Sequence, residues 1–354
     1  MSGKNKLKIG LVSIIVIAVI LFLGVREYSK QQQESHEIKS IKIGVSIYDE
    51  YDTYMMTLMQ EITAWAKQKE TEDGIAITLE IQGCGGSQIT QNDQIESFVD
   101  KNYDVVCVGL VDRTDASGVI EKCKSADIPI VFFNRELVKE DMERWDKLYY
   151  VGANAADSGN MQGEIIIDAL EENFDGIDKN GDGILQYVML EGEPGHQDAM
   201  IRTENSVKTV TDAGYTLQKL GDEIANWSRV QAITKASAWL EEFGEEIEII
   251  FANNDEMALG ALEALKNSKI QQYPIIVGVD GIPAGLDSVK KKEMVGTVYH
   301  DYRGQAKAIV QIAYALSVGQ EIPEDVNLVD DKYVYLPYEK ITYDNVQEYI
   351  RMLD

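Results

Sequence analysis

The strongest constraint on the fold is an alternation of short apolar runs with helical patterns that runs twice along one chain. Residues 41–47 read as a strand, and residues 54–69 as a helix with Leu58, Ile62 and Trp65 on one face. Strands recur at 75–81, 104–108 and 128–133, with helices near 91–101 and 117–125. The pattern restarts near Tyr149. Strands are expected at 186–190, 215–220, 248–251, 275–279 and 295–300, and helices at 159–173, 199–213, 229–242, 257–266 and 304–318. Repeated βα units build a parallel sheet covered by helices on both faces. The expectation is therefore two doubly wound α/β lobes in tandem, and 354 residues suit two domains of about 150 residues each.

Composition narrows the functional class. Apolar residues make up 45% and charged residues 26%, as in a globular protein. The net charge of −27 disfavours nucleic-acid binding. Three cysteines, Cys84, Cys107 and Cys123, give no disulfide framework. Cys107 and Cys123 lie in apolar or helical settings and read as buried small hydrophobes, whereas Cys84, beside Gly85-Gly86, is expected to be more exposed.

The N-terminus is different in kind. Residues 9–25 carry no charge and follow Lys4, Lys6 and Lys8. The stretch is just long enough to span a bilayer core, and the lysines predict a cytoplasmic N-terminus. Residues 1–30 read either as an uncleaved signal-anchor or as a cleaved signal peptide with an atypical site. In both cases the remainder is exported, with 28 basic and 59 acidic residues and a net charge of −31. Residues 31–40, Gln-rich at their start, read as a tether.

In open α/β sheets, ligands bind beyond the carboxyl ends of the strands. Polar clusters follow strand after strand here: Asp52 and Tyr54, Asn134-Arg135, Asn253-Asn254-Asp255, Asp280, and His300-Asp301. Each alone reads as a turn or a helix cap. Five in succession on corresponding edges point to a ligand cleft.

Residues 178–186 have the spacing of a calcium loop, whose oxygen ligands fall at positions 1, 3, 5, 7 and 9 with Gly at 6. Here these are Asp178, Asn180, Asp182, the Ile184 carbonyl and Gln186, with Gly183 at the turn. Position 12, normally a bidentate Glu, is Met189. The last carboxylate must come from elsewhere, or the site is weak; a metal-free turn rich in Asp and Gly is the alternative.

Ten residues on, His196, Asp198 and Arg202 lie close together, the last two one helical turn apart. One reading makes His196 a general base oriented by Asp198, although no nucleophile motif stands nearby. A second makes the cluster a binding site. Planar Asp, Asn and Arg side chains make paired hydrogen bonds to adjacent hydroxyls, and an aromatic ring can cover the apolar face of a sugar. Tyr54 and Trp227 stand at loop positions suited to that.

From about Lys42 to Asn345 the chain resembles the bacterial periplasmic D-galactose/D-glucose-binding proteins, solute receptors of sugar ABC transporters. The resemblance is carried by Ile43-Gly-Val-Ser-Ile-Tyr48, Gln91-Asn-Asp-Gln-Ile95, Val131-Phe-Phe-Asn134, Tyr149-Tyr-Val-Gly152, Glu191-Gly-Glu-Pro-Gly-His196, Ala252-Asn-Asn-Asp255, Gly278-Val-Asp280 and Gly296-Thr-Val298. The calcium loop before the Gly-Glu-Pro-Gly-His turn is specific to this branch.

The resemblance implies a type I periplasmic-binding fold with three hinge crossovers, the first lobe at 41–151 with 301–336 and the second at 152–300 with 337–351. It implies sugar hydrogen bonds from Asp52, Asn134, His196, Asp198, Arg202, Asn254 and Asp280, with the sugar between the rings of Trp227 and Tyr54. Tyr54 stands where the family usually has Phe, and His300 where it has Asn. The resemblance also implies that Glu248 supplies the missing ligand of a structural Ca2+. The implied role is capture of D-galactose or D-glucose, as a monomer without enzymatic activity, for delivery to an ABC transporter permease. A membrane-tethered sugar sensor that signals to a chemoreceptor or sensor kinase is the alternative.

Overall fold

The computed structural model describes residues 40–353. The apolar segment at 9–25 and most of the tether lie outside the described residues. Among the described residues, no helix is long and apolar enough to cross a membrane.

Two six-stranded sheets form two lobes. The first contains β1 (Ser40–Ile47), β2 (Ala76–Gly83), β3 (Val105–Val108), β4 (Ile130–Phe133), β5 (Leu148–Ala153) and β11 (Tyr333–Leu336), in the order β11-β5-β4-β3-β1-β2. All its pairings are parallel. The second contains β6 (Ile184–Glu191), β7 (Thr216–Ile224), β8 (Ile249–Ala252), β9 (Ile275–Asp280), β10 (Gly296–His300) and β12 (Tyr338–Thr342), in the order β12-β10-β9-β8-β6-β7. Only β12 runs antiparallel to its neighbour.

The central strands are uninterrupted apolar runs because helices cover both faces. Val105–Val108, Ile130–Phe133 and Ile249–Ala252 are buried at every position. The edge strands β2 and β7 alternate with partly exposed polar residues. In the first lobe the helices include α1 (Thr53–Asp73), α2 (Gln88–Asp100), α3 (Ser117–Ser125) and α4 (Lys139–Met142). In the second they are α5 (Ala155–Ile177), α6 (Gln197–Asp212), α7 (Arg229–Glu242), α8 (Asp255–Asn267) and α9 (Pro283–Lys290). The remaining two, α10 (Tyr302–Val318) and α11 (Val346–Leu353), divide between the lobes: α10 packs on α1, and α11 on α9.

The chain therefore passes between lobes three times: after β5, after β10, and between β11 and β12, where only Pro337 intervenes. Each passage leaves the carboxyl end of a strand, so the two sheets present their loop-bearing edges to a common cleft. One sequence expectation fails. Cys84 is 4% exposed, as buried as the other two cysteines, because its thiol donates back to the Ile47 carbonyl (3.0 Å) beneath the loop. Burial pushes the Cys84 thiol up to about 11 and the other two up to about 12.

Candidate functional site

Asp301 caps α10 by accepting from Gly304 N (2.8 Å), and three polar residues of the cavity wall are helix caps too. Asp52 caps α1 by accepting from Met55 N (2.7 Å), Asn254 caps α8 by accepting from Met257 N (3.0 Å), and His196 caps α6 through Nδ1, which accepts from Asp198 N (3.2 Å). Capping holds each side chain at the mouth of its helix, and the Asn254 amide also donates to the Trp227 carbonyl (3.3 Å). The cap and the site readings are compatible. Tyr54 stands on the first turn of α1, not in a loop.

The same edge carries backbone strain. Asn134 (φ 65°), Trp227 (φ 61°) and Asp280 (φ 121°) all adopt positive φ. For Trp227 and Asp280 this costs roughly 1–3 kcal/mol each, and such strain gathers at functional sites. The turn that presents Trp227 fits because residue 192 is glycine: a Cβ there would run into the indole ring.

All ten residues expected at a sugar site line one cavity: Asp52, Tyr54, Asn134, His196, Asp198, Arg202, Trp227, Asn254, Asp280 and His300. Tyr48, at the end of β1, lines it too and was not singled out from the sequence as a site residue. It is the terminal residue of an apolar run, with nothing local to mark it. The lobes are closed over this cavity. Arg135 of the first lobe donates to the Glu193 carboxylate of the second while its guanidinium lies 4.1 Å from the centre of the Tyr48 ring. Thr53 Oγ1 donates to Glu256 Oε1 (3.2 Å), and Arg229 Nε approaches the other Glu256 oxygen (2.7 Å).

Arg202 organises the second lobe's wall. It donates to Ser158 Oγ, the Asn253 carbonyl and the Tyr338 hydroxyl, each at 3.0 Å, and to Asp198 Oδ2 at 3.2 Å. Burial raises the carboxyl pKa of Asp52, Asp198 and Asp280, with Arg202 opposing the shift at the latter two. Burial, together with nearby arginines, holds His196 and His300 well below the ordinary imidazole value, so both are neutral. A neutral imidazole offers one donor and one acceptor. At His196 the acceptor is used as a cap. At His300, Nε2 is committed to the Gln305 amide (2.7 Å) and the ring stacks on Tyr54 (centroids 4.3 Å apart, planes 9° apart). His300 therefore serves as a backing ring for Tyr54, with only Nδ1 left for further bonding.

Among the described residues, three buried polar atoms of the cavity lining have no hydrogen-bond partner: Tyr54 Oη, Asn134 Oδ1 and Trp227 Nε1. Stranding buried polar atoms costs about 1–3 kcal/mol each. Their convergence marks a cavity built to hydrogen-bond a polar ligand between aromatic rings.

A second cluster lies at the opposite end of the second sheet. Asp178 accepts from Gly181 N and Gly183 N (2.9 Å each), Asn180 Oδ1 from Asp182 N, and Asp182 Oδ1 from Ile184 N (2.8 Å each). Gln186 bridges Asn180 and Asp182 through its side-chain amide (3.2 Å each). Glu248, 1% exposed, closes the loop by accepting from Lys179 N (2.6 Å) and Gln186 N (3.0 Å). Burial, reinforced by the nearby Asp178 charge, raises its pKa. No three His, Cys, Asp or Glu side chains cluster tightly enough to hold a metal alone among the described residues. A metal here would need the two amides as well. The donors are all oxygen, two of the carboxylates are buried, and the loop glycines adopt positive φ (71° and 76°), so the residue set fits a hard cation.

The geometry agrees with what the chain is similar to. A profile for the periplasmic binding protein domain matches residues 43–321. The D-galactose/methyl-galactoside binding periplasmic protein MglB of Haemophilus influenzae is 35% identical over 312 residues, 88% of this chain and 92% of that protein. An ABC transporter solute binding protein from Bacillus halodurans, solved with bound myo-inositol, superposes with a TM-score of 0.74 at 26% identity, covering 89% of this chain and 99% of that one. A periplasmic solute binding protein from Actinobacillus succinogenes, solved with D-allose, shares the fold (TM-score 0.73, 24% identity, 87% and 100% covered).

Proposed function

The chain belongs to the periplasmic binding protein family, and from that premise we propose that it is an extracytoplasmic receptor that captures D-galactose or D-glucose between its lobes and delivers it to an ABC transporter permease. The family's members bind solutes for transport and are not enzymes, so His196 and Asp198 act as hydrogen-bonding groups, not as a catalytic pair. The observation that carries the reading is the meeting of ten candidate residues around one cavity with three unpartnered polar atoms.

A hexose supplies what these groups lack. Its hydroxyls both donate and accept, so the carboxylates of Asp52, Asp198 and Asp280 receive hydrogen bonds while Trp227 Nε1 and the Asn254 amide donate. Trp227 and Tyr54 cover the apolar faces of the sugar. Sugar bound to one lobe draws the other over it, and the closed population grows in proportion to the ligand's preference for it. Arg135–Glu193 and Thr53–Glu256 then hold the closed form, which is the surface a permease reads. The similarity to a D-galactose/methyl-galactoside binding protein favours hexoses over pentoses.

A structural Ca2+ would be held by Asp178, Asn180, Asp182, the Ile184 carbonyl, Gln186 and Glu248. It would neutralise the crowded carboxylates at the start of β6 and β8, the strands whose far ends lead to His196 and Asn254. Its role is to brace the second lobe at a distance from the sugar.

Calorimetric titration with hexose and pentose epimers tests the reading. Binding of D-glucose or D-galactose with little or no response to pentoses is expected. Equal binding of all epimers would remove the assignment of specific hydroxyl contacts.

A further inference from the structure

We propose that Asp255 is a positioning residue for sugar binding: from behind the cavity wall, its carboxylate fixes the strained turn that presents Asp280 and ties that turn to the segments bearing Asn254 and His300. The inference rests on the sugar-receptor function proposed above and concerns the same site.

Asp255 is the first residue of α8, directly after the Asn254 cap, and is 0% exposed. It lies behind the cavity lining and is not part of it. Its two carboxylate oxygens bond different elements. Oδ2 accepts from Ile282 N (3.0 Å), in the turn just after Asp280. Oδ1 accepts from Thr297 Oγ1 (2.6 Å), on the strand that ends at His300. One side chain thus joins three segments, each of which delivers a residue to the cavity.

The turn needs such an anchor. Asp280 (φ 121°) and Gly281 (φ 69°) both have positive φ, and for Asp280 this conformation is strained. Strain of this kind persists only where the surroundings over-determine it. Ile282, itself buried, caps α9 without a side-chain bond of its own, and Pro283 follows with no N–H to offer. The Asp255 carboxylate supplies the partner from another helix. Room is left for it on two sides. A Cβ at Gly278, which pairs with Thr297 across the sheet, or at Gly285 would run into that carboxylate. Burial lifts the Asp255 carboxyl to about 7, against hydrogen bonds from Thr297, Ile282 and Gly281 that lower it. Keeping a carboxylate in the core at that cost makes sense where its bonds set a geometry the site requires.

The test is calorimetry on the full chain with D-galactose and D-glucose, paired with melting curves, for Asp255→Ala, Asp255→Asn, Thr297→Val and Leu265→Ala. Asp255→Ala removes both bonds and should weaken binding about tenfold or more. Asp255→Asn keeps an oxygen for the Ile282 N–H and an amide for the Thr297 hydroxyl, and should bind within about threefold of the parent. Thr297→Val keeps the shape, removes one bond and should weaken binding about fivefold. Leu265, 0% exposed near the far end of α8, serves as the control: Leu265→Ala should lower the melting temperature and leave affinity within about twofold. Unchanged affinity in Asp255→Ala would refute the role; if that variant does not fold, unchanged affinity in Thr297→Val refutes it. Equal losses of affinity in Asp255→Ala and Leu265→Ala would reduce the effect to general loosening and refute it too, as would Asp255→Asn binding as weakly as Asp255→Ala. If the parent itself binds neither hexose, the receptor reading falls and this role with it, whereas parental affinity in the variants removes the role of Asp255 alone.

Discussion

Replacing Arg202 by Met should show how much of the second lobe depends on one buried cation. Arg202 is 4% exposed and makes four hydrogen bonds. Met keeps most of the stem volume and removes the guanidinium. Ser158 still donates to the Ala155 carbonyl (2.8 Å), and the Tyr338 hydroxyl is free to rotate. The principal costs are a largely buried Asp198 carboxylate, 13% exposed, without its cation and an unpaired Asn253 carbonyl. Breaking a buried pair from one side costs about 3–5 kcal/mol, and the stranded carbonyl adds about 1 kcal/mol. The expected loss is therefore about 4–6 kcal/mol, a large part of the stability of an ordinary domain.

The loss should depend on pH with a definite sign. Burial already raises the Asp198 carboxyl above its ordinary 3.8, and without Arg202 it rises further. A raised carboxyl favours the folded state most below its unfolded value, and that contribution is lost as pH rises through the folded value. The gap between Arg202→Met and the parent should thus be widest near pH 8 and narrower near pH 5.5 in denaturant unfolding. Adding Asp198→Asn removes the charge and should recover about 2–3 kcal/mol. A loss below about 1 kcal/mol, or a double variant no more stable than the single one, would refute this account of the wall.

Three further outcomes are expected. Stripping metal from the purified protein should lower its melting temperature by several degrees and millimolar Ca2+ should restore it, since a ligand at a hundred times its Kd adds about 2.7 kcal/mol; identical melting curves with and without Ca2+ in protein verified to be metal-free would count against the loop as a metal site. His300, held below its ordinary 6.5, supports the fold above that value and loses its contribution as pH falls toward the depressed one, so His300→Gln should reduce the acid slope of stability by up to about 1.4 kcal/mol per pH unit below pH 6.5; parallel curves would contradict a buried neutral imidazole. Arg135→Ala removes a clasp whose Glu193 side chain is 42% exposed, a contribution of about 1 kcal/mol after solvent screening, so sugar affinity should fall about fivefold and the radius of gyration of the ligand-free protein should increase; unchanged values of both would show that the clasp does not set closure.

The βα alternation was legible because most strands are apolar on both faces and most helices carry one apolar stripe. β11 and β12 were not. Both are short strands at the sheet edges, rich in tyrosine and separated by a single proline, without the apolar run that marks the central strands. α9 was missed because it is short and begins at Pro283. The cap residues Asp52, His196 and Asn254 were legible as polar positions after strands, and in the structure each caps a helix and lines the cavity. Tyr48 and the Arg135–Glu193 clasp were illegible because they gain meaning only when the lobes close: the clasp joins residues 58 apart in sequence. His300 was visible as a residue near the site, but its stacking on Tyr54 and its bond to Gln305 depend on side-chain packing that no local pattern encodes.

The central claim, that the inter-lobe cavity is the sugar site, meets its most direct test in calorimetry of Asp198→Ala and Asn254→Ala with D-glucose and D-galactose. Binding by the parent and loss of measurable binding in both variants is the expected result, with melting curves that remain cooperative. Full parental affinity in either variant would place the sugar elsewhere.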